Sequence, residues 1–329
     1  MRYGYCRPAR TGFPPHARTL ARIFNPNPTT MTRTALLLLL LSSSLANADQ
    51  IGALNIAFTD IGNAGNGNDS GSSGIYSSLY GAVDYDYRMS ITEISASMLF
   101  TAGLPSGSWL GNQPATINWF QAASFANWLN TSTGHQPAYQ LNAGLTALAL
   151  WSSGEAWQAG GENLYRHKDA HYFLPSEDEW YKAGYHQNNG ATADYWDYAT
   201  ASNSVPTAVA SGSATGTAVY HRGSFSTPSD VEISGGASAY GTIGQGGNVW
   251  EWTESANDGS NDSGSEYRAF RGGFWNSNES NLRASTRNYN APSVIDYSVG
   301  FRVASVPEPS ALAILLVGLL ALVGRRNRP

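Results

Sequence analysis

Cysteine and charged residues are both scarce in this chain of 329 residues. The only cysteine is Cys6, and charged residues make up 13% of the sequence, about half of the share usual in soluble globular proteins. The body from Asp49 to Ser305 therefore contains no cysteine. This excludes a disulfide, a thiolate metal site and a cysteine nucleophile within the body.

Basic residues are also few in this body. It has 23 acidic and 10 basic side chains, which gives a net charge of about −13. So acidic a surface repels a phosphate backbone and argues against nucleic acid as a partner. It suits divalent cations or a neutral polymer better.

Glycine and aromatic residues, in contrast, are abundant. The sequence contains 35 glycines, aromatic residues make up 12% of it, and apolar residues make up 42%. The apolar content is sufficient for a sizeable core, and the glycines favour tight turns. Together they predict an irregular, loop-rich fold with short strands. Because we find no linker and no internal repeat, residues 49–305 are predicted to form one domain.

The segment of residues 31–48 has the pattern of a secretory signal peptide. Arg33 supplies the positive start, an apolar run follows, and the segment ends in the small-residue cleavage site Ala-Asn-Ala. Cleavage is expected before Asp49, and a buried core helix is the alternative for the apolar run. Residues 1–30 precede a second methionine, and we interpret them as an upstream extension, with a genuine N-terminal arm as the alternative.

The segment of residues 306–329 has three parts: a Pro-Glu-Pro motif, an apolar run of 13 residues and a basic end. Its key positions are Pro307, Glu308, Pro309, Arg325 and Arg326. The apolar run is shorter than the roughly 20 residues of a stable membrane span, and the basic end would hold the tail in the cytoplasm. This layout resembles the PEP-CTERM sorting signal, and an ordinary tail anchor is the alternative.

The resemblance to PEP-CTERM signals implies a route of export. It implies processing by an exosortase, with the protein tethered only transiently to the inner membrane through its tail. It also implies delivery to the cell surface or extracellular matrix of a Gram-negative bacterium that makes exopolysaccharide.

Short motifs beside glycine turns dominate the last third of the body. In the segment GGNVWEWT, Glu251 lies between Trp250 and Trp252, so the two tryptophans are predicted to share one face of a strand and Glu251 the other. A carboxylate beside two tryptophans must be solvated, paired with an arginine or bound to a cation. The candidate arginines are Arg271, Arg283, Arg287 and Arg302.

Two helix starts carry capping signals. Asn118 precedes the amphipathic segment WFQAASFANWLN, where it is a suitable N-cap. Ser176 and Glu179 form a capping box, and the acids at 177–179 are expected at an exposed first turn, where the helix dipole favours them.

Five segments of the body together resemble the formylglycine-generating enzyme family, also called sulfatase-modifying factors. They run in the family's order and together span nearly all of residues 80–304. Their sequences are YDYRMSITEIS, PATINWFQAASFANWLN, FLPSEDEWYKAGY, SAYGTIGQGGNVWEWTES and the final set RAFRGGFW, LRASTRNYN and VGFRVA. The resemblance implies an irregular α+β fold related to C-type lectins, with little regular secondary structure.

The family's oxidase chemistry is not expected here. Active members have two cysteines that bind copper and activate oxygen, and they convert a cysteine of the substrate to formylglycine. The matching positions are Glu279 and Ala284, which cannot form a soft Cu(I) dithiolate site. The resemblance therefore implies a member without a catalytic site of this kind and without copper.

The family's calcium ligands are partly matched. Gly247, Val249 and Glu251 occupy positions where members bind Ca²⁺ through backbone oxygens and a carboxylate. Gly244, however, stands where a side-chain donor is expected. Calcium at Glu251 is therefore a hypothesis.

These observations favour a non-catalytic binding or matrix module near exopolysaccharide. Exposed aromatic rings could stack on sugars, with polar side chains bonding their hydroxyls, and the partner would be a polysaccharide or a surface protein. The candidate ligand-binding residues are Trp250, Trp275, Asn276, Asn278, Arg287 and Asn288. The alternatives are that the tryptophans belong to the core, that the protein is a formylglycine-generating oxidoreductase or another enzyme using the same cleft, or that it is a purely structural matrix component.

Overall fold

The computed structural model of the protein describes residues 48–71, 80–192, 194–221, 223–224 and 226–307. Every described residue belongs to one compact unit. Nearly all of the predicted signal peptide lies outside the described residues. So do the sorting-signal positions Glu308, Pro309, Arg325 and Arg326.

Short strands and a few helices form the body. The strands are β1 (Ala48–Ile51), β2 (Leu54–Ile61), β3 (Tyr87–Ser90), β4 (Gln140–Leu141), β5 (Leu148–Ala149), β6 (Ala156–Trp157), β7 (Asn163–His167), β8 (Tyr172–Phe173), β9 (Thr207–Ala208), β10 (Thr217–Ala218), β11 (Trp250–Ala256), β12 (Arg268–Arg271), β13 (Asn288–Asn290), β14 (Val299–Phe301) and β15 (Ala304–Ser305). The helices are α1 (Ala96–Thr101), α2 (Trp119–Ser132) and α3 (Glu177–Tyr185), with 3₁₀ turns at Val231–Ile233 and Glu279–Leu282. The predicted irregular α+β architecture is confirmed.

A five-stranded antiparallel sheet joins both ends of the described chain. Its strand order is β1-β2-β3-β15-β8, so the last strand of the body lies between β3 and β8. Ser305 is opposite Arg88 on one side and Tyr172 on the other. The cleavage predicted before Asp49 would fall just inside β1, after its first residue.

A four-stranded sheet carries the tryptophan motif. Its order is β13-β12-β11-β14, with β11 antiparallel to β12 and parallel to β14. Trp250 and Trp252 both contact the ring of Phe270, at centroid distances of 5.6 and 5.1 Å, while Glu251 faces the other way. The predicted alternation along this strand is confirmed.

Both helix starts have the predicted caps. The side chain of Asn118 accepts a hydrogen bond from the backbone N–H of Gln121 at 2.9 Å, and that of Ser176 accepts one from the N–H of Glu179 at 3.1 Å. A capping residue of this kind stabilises a helix by about 1 kcal/mol. Helix α2 buries its apolar face in the main core, which it shares with both sheets.

A second, smaller cluster is almost entirely aromatic. Its buried rings belong to Trp180, Tyr181, Tyr185 and Tyr195, and Ala284 packs among them. No helix in the described part of the chain is long and apolar enough to cross a membrane.

Candidate functional site

Glu251 is neutralised by an arginine inside the body. Arg302 donates through Nε to Oε2 and through Nη2 to Oε1 of Glu251, both at 2.6 Å. The indole N–H of Trp180 also donates to Oε2, again at 2.6 Å. All three side chains are fully buried. Of the three environments predicted for this carboxylate, the arginine pair is the one observed.

This arrangement does not fit the predicted calcium ligand at Glu251, because Arg302 and Trp180 already engage both carboxylate oxygens. The other two predicted positions have structural roles. Gly247 has a φ of +99°, and a Cβ there would collide with the carbonyl oxygen of Val219, so only glycine fits. Val249 is buried against Val219. Within the described ranges, no group of three or more His, Cys, Asp or Glu side chains is placed to hold a metal.

A second buried carboxylate, Glu93, lies beside this turn. A Cβ built on Gly244 would lie 2.5 Å from Oε2 of Glu93, so Glu93 occupies the space of the side chain that Gly244 lacks. Its Oε1 accepts a hydrogen bond from Nδ2 of Asn248 at 2.9 Å. Burial, and then the nearby charge of Glu251, raise the pKa of Glu93 to about 8. Glu93 is therefore protonated at neutral pH.

Sequence reasoning missed Glu93 as part of this site. Glu93 belongs to the segment YDYRMSITEIS, which helped to reveal the family resemblance, but it lies far from Gly244 along the chain. No local pattern links the two positions.

Glu177 pairs with two arginines, Arg271 and Arg287. Its Oε1 accepts from Nε of Arg271 at 2.6 Å and from Nε of Arg287 at 2.9 Å, and its Oε2 accepts from Nη2 of Arg287 at 2.8 Å. Burial alone would raise the pKa of Glu177, but the two arginines outweigh it and hold that pKa below its ordinary value. Arg271 also donates from Nη1 to the backbone carbonyl oxygen of Ala284 at 2.9 Å.

The acids at the start of α3 are not exposed as predicted. Glu177 and Glu179 are buried, because the helix start packs against arginines from the sheets rather than facing water. Arg166 donates to both carboxylate oxygens of Glu179, at 3.0 and 2.9 Å, and to Oε2 of Glu254 at 2.7 Å.

The two positions that match the family's cysteines have different surroundings. Ala284 is completely buried in the aromatic cluster of α3, next to Trp180 and Tyr181. Glu279 is exposed at the first residue of its 3₁₀ turn. Neither side chain supplies a sulfur ligand.

Two of the predicted ligand-binding residues are buried, which corrects the expectation that their rings face a ligand. Trp250 is 6% exposed and Trp275 is 2% exposed. The ring of Trp275 packs edge-on against Trp109 at 5.3 Å and tilted against Tyr297 at 5.8 Å. Both tryptophans therefore contribute to packing, as the alternative interpretation stated.

The polar candidates lie nearer the surface. Oδ1 of Asn276 accepts from the backbone N–H of Gly223 at 2.6 Å, and Asn278 is exposed just before the 3₁₀ turn. Arg287 is half-buried, and its guanidinium is occupied by Glu177. Asn288 is exposed at the start of β13, the outer strand of the four-stranded sheet.

Beside Asn288 lies an aromatic pair that sequence reasoning missed. Tyr267 and Tyr289 are 51% and 49% exposed, and their rings stack with centroids 5.9 Å apart and an interplanar angle of 24°. The only sequence signal was the aromatic residue of Asn-Tyr-Asn in one of the family motifs. Its partner, Tyr267, could not be identified from the sequence, because the two rings meet only through the pairing of β12 with β13.

Two family models match the sequence. The model described as sulfatase-modifying factor enzyme 1-like domain matches residues 101–306, which is more than half of the chain, and that of the PEP-CTERM protein-sorting motif matches residues 305–328. No protein of curated function matches the chain.

Solved structures share the fold at low sequence identity. Treponema denticola variable protein 1 is 20% identical, over 79% of this chain and 98% of that one, with a TM-score of 0.57. CarF is 18% identical, over 77% of this chain and 99% of that one, with a TM-score of 0.50. PvdO from Pseudomonas aeruginosa is 16% identical, over 81% of this chain and 100% of that one, with a TM-score of 0.49. The first two similarities concern the fold alone, and they agree with the predicted C-type-lectin-related architecture.

Proposed function

The chain belongs to the sulfatase-modifying factor enzyme 1-like domain family and carries a PEP-CTERM sorting motif, and from this premise we propose that it is an exported, surface-sorted binding module without the family's oxidase activity. The sorting motif indicates export and surface sorting. The binding role and the loss of oxidase chemistry are inferences from the body of the protein.

The surroundings of positions 279 and 284 carry this proposal. Copper chemistry of the family's kind needs two thiolates, since soft sulfur ligands select Cu(I). Here one position is an alanine sealed among aromatic rings, and the other is an exposed glutamate. Arg271, which donates to the backbone carbonyl oxygen of Ala284, is paired with Glu177, and Glu177 also pairs with Arg287.

An assay of cysteine oxidation tests the loss of this activity. The purified protein is incubated with copper, oxygen and a cysteine-containing sulfatase peptide, and the mass of the peptide is measured, with an active family member as positive control. We expect no conversion of cysteine to formylglycine by this protein. Copper-dependent conversion would establish the oxidoreductase alternative.

A neutral polysaccharide is the ligand class that we propose, with a surface protein as the alternative. The acidic body disfavours acidic polymers, and half-exposed aromatic rings beside asparagines suit uncharged sugars. A glycan array probed with the protein should give signal on uncharged polysaccharides. An array without any signal would remove support for this ligand class.

We further propose the site of action and the maturation route that the sorting motif suggests. An exosortase would process the tail after a transient stay in the inner membrane, and the body would reach the surface or matrix of a Gram-negative bacterium. Mass spectrometry of the native mature protein from separated cell fractions tests both points. We expect a surface or matrix protein that lacks the apolar tail, whereas an intact tail in the inner membrane would contradict the route.

A further inference from the structure

We propose that Tyr267 and Tyr289 form the platform on which this body stacks a neutral polysaccharide. The inference rests on the proposed binding function and goes further by naming the residues and the face of the sheet. Two features of the described structure support it: the geometry of the ring pair and the charge around it.

The first feature is that the two exposed rings lie against each other on one face of the sheet. Tyr289 lies opposite Ala269 in the pairing of β13 with β12, and Tyr267 precedes Ala269 by two residues, so both side chains point to the same face. Their rings are nearly parallel, and about half of each residue is open to water. Aromatic rings of this kind, apolar on the face and polar at the hydroxyl, suit a ligand that is itself apolar on one face and hydroxylated at its edge.

The asparagines that flank Tyr289 are not part of the platform. Successive side chains of a strand point to opposite faces, so Asn288 and Asn290 lie on the face away from the two rings. Their Oδ1 atoms accept hydrogen bonds from the backbone N–H groups of the residues that follow them, both at 2.9 Å.

The second feature is the charge around the platform. Arg287 lies just before β13, and its guanidinium donates to Glu177 and to the side-chain oxygen of Asn257, the latter at 2.8 Å. The charge of Arg287 is therefore compensated within the protein, and the body as a whole is acidic. The charge balance favours an uncharged chain over an anionic one.

Affinity electrophoresis of the full chain tests the platform. The native gel contains dextran, hydroxyethylcellulose or galactomannan as uncharged probes, or alginate as an anionic probe, and retardation gives the dissociation constant. The test variant is Tyr267→Ala/Tyr289→Ala. Tyr267→Phe/Tyr289→Phe keeps the rings without their hydroxyls, and Phe100→Ala is the matched control because Phe100 is an exposed aromatic residue, 82% accessible, on helix α1. Near-ultraviolet circular dichroism checks that each variant is folded.

We expect the wild type to be retarded by at least one uncharged probe and not by alginate. The double alanine variant should bind that probe at least about tenfold more weakly, while the double phenylalanine variant and Phe100→Ala should stay within about threefold of the wild type. If the wild type binds an uncharged probe and the double alanine variant binds equally well, the platform is wrong but the binding function stands. If the wild type binds none of the probes, or alginate alone, both fail.

Discussion

Gly244 and Glu93 form a complementary pair although they belong to distant parts of the chain. The carboxyl group of Glu93 fills the space that a side chain at position 244 would take. It lies close enough to Glu251 for the negative charges to interact, and only one guanidinium, that of Arg302, compensates them. Protonation of Glu93 removes the repulsion between its carboxylate and that of Glu251. While Glu93 holds its proton, it acts as a hydrogen-bonding group and not as an anion.

This protonation makes the stability of the protein depend on pH. The pKa of Glu93 is raised to about 8 in the folded state, while an unfolded chain ionises a glutamate near its ordinary value of about 4.3. Between these values the folded state holds a proton that the unfolded state has lost. The contribution of Glu93 to the free energy of unfolding is therefore complete at low pH and falls as pH rises, by up to about 1.4 kcal/mol for each pH unit.

Glu93→Gln should remove this dependence, because glutamine keeps the acceptor for Asn248 and carries no charge. We expect the variant to match the wild type near pH 5 and to exceed its free energy of unfolding by about 3–4 kcal/mol at pH 8, measured by urea denaturation across this range. Glu232→Gln is the matched control, because Glu232 is an exposed glutamate. Parallel pH profiles for wild type and Glu93→Gln would contradict the assignment.

At the scale of elements, acidic side chains in the first turn of α3 connect the helix to the strands on either side of it. Glu177 pairs with arginines of β12 and of the segment before β13, and Glu179 pairs with Arg166 of β7. These ion pairs do more than place negative charge at the positive end of the helix dipole. They fix the position of the helix between the strands, and removal of Glu177 leaves the buried Arg271 without its counter-ion.

Glu177→Gln should therefore destabilise the protein more than loss of the helix cap. We expect a decrease in the free energy of unfolding of about 3 kcal/mol or more for Glu177→Gln, against about 1 kcal/mol for Ser176→Ala, which removes only the cap. Chemical denaturation at pH 7 measures both. Equal losses for the two variants would show that Glu177 acts only through the helix start.

Local signals explain which elements the sequence could predict. The caps at Asn118 and Ser176 and the alternation of Trp250 with Glu251 depend on neighbours within four residues, and all were predicted correctly. The partner of Glu251 was one of four candidate arginines. The choice of Arg302 depends on the parallel pairing of β11 with β14, which no local pattern encodes.

Contacts between distant segments explain what the sequence could not predict. Trp275 is buried because Trp109, far away in the chain, covers it. The tyrosine platform exists only because β13 pairs with β12 in a register that brings Tyr267 next to Tyr289. The family resemblance predicted the fold correctly, since the fold is shared at low identity, but the burial and pairing of single side chains depend on this chain's own contacts.

At the scale of the whole molecule, one arginine links strands from both ends of the body. Arg88 on β3 donates from Nη1 and Nη2 to the two carboxylate oxygens of Asp49 on β1, at 2.9 and 2.7 Å, and from Nε to Oγ of Ser305 on β15, at 3.0 Å. The phenolic hydroxyl of Tyr172 on β8 also donates to Asp49, at 2.8 Å. Among the described residues, strand β1 pairs through its backbone with β2 alone, so its attachment to the sheet depends strongly on this side-chain contact.

Arg88→Met should loosen the two end strands while leaving the rest of the body folded. Loss of charged hydrogen bonds to Asp49 and of the bond to Ser305 removes roughly 2–4 kcal/mol of local stability, and β1 is expected to open first because it lies at the sheet edge. Hydrogen-exchange mass spectrometry should show faster exchange in peptides that cover β1, a smaller increase in those that cover β15, and no change around β11. Arg283→Met is the matched control, because the Arg283 side chain is 38% exposed and its pair with Asp197 is long, at 3.8 Å. If β1 exchanged as slowly in Arg88→Met as in the control, the backbone pairing with β2 would suffice to hold the N-terminal strand, and the link between the two ends through Arg88 would have no part in the stability of the body.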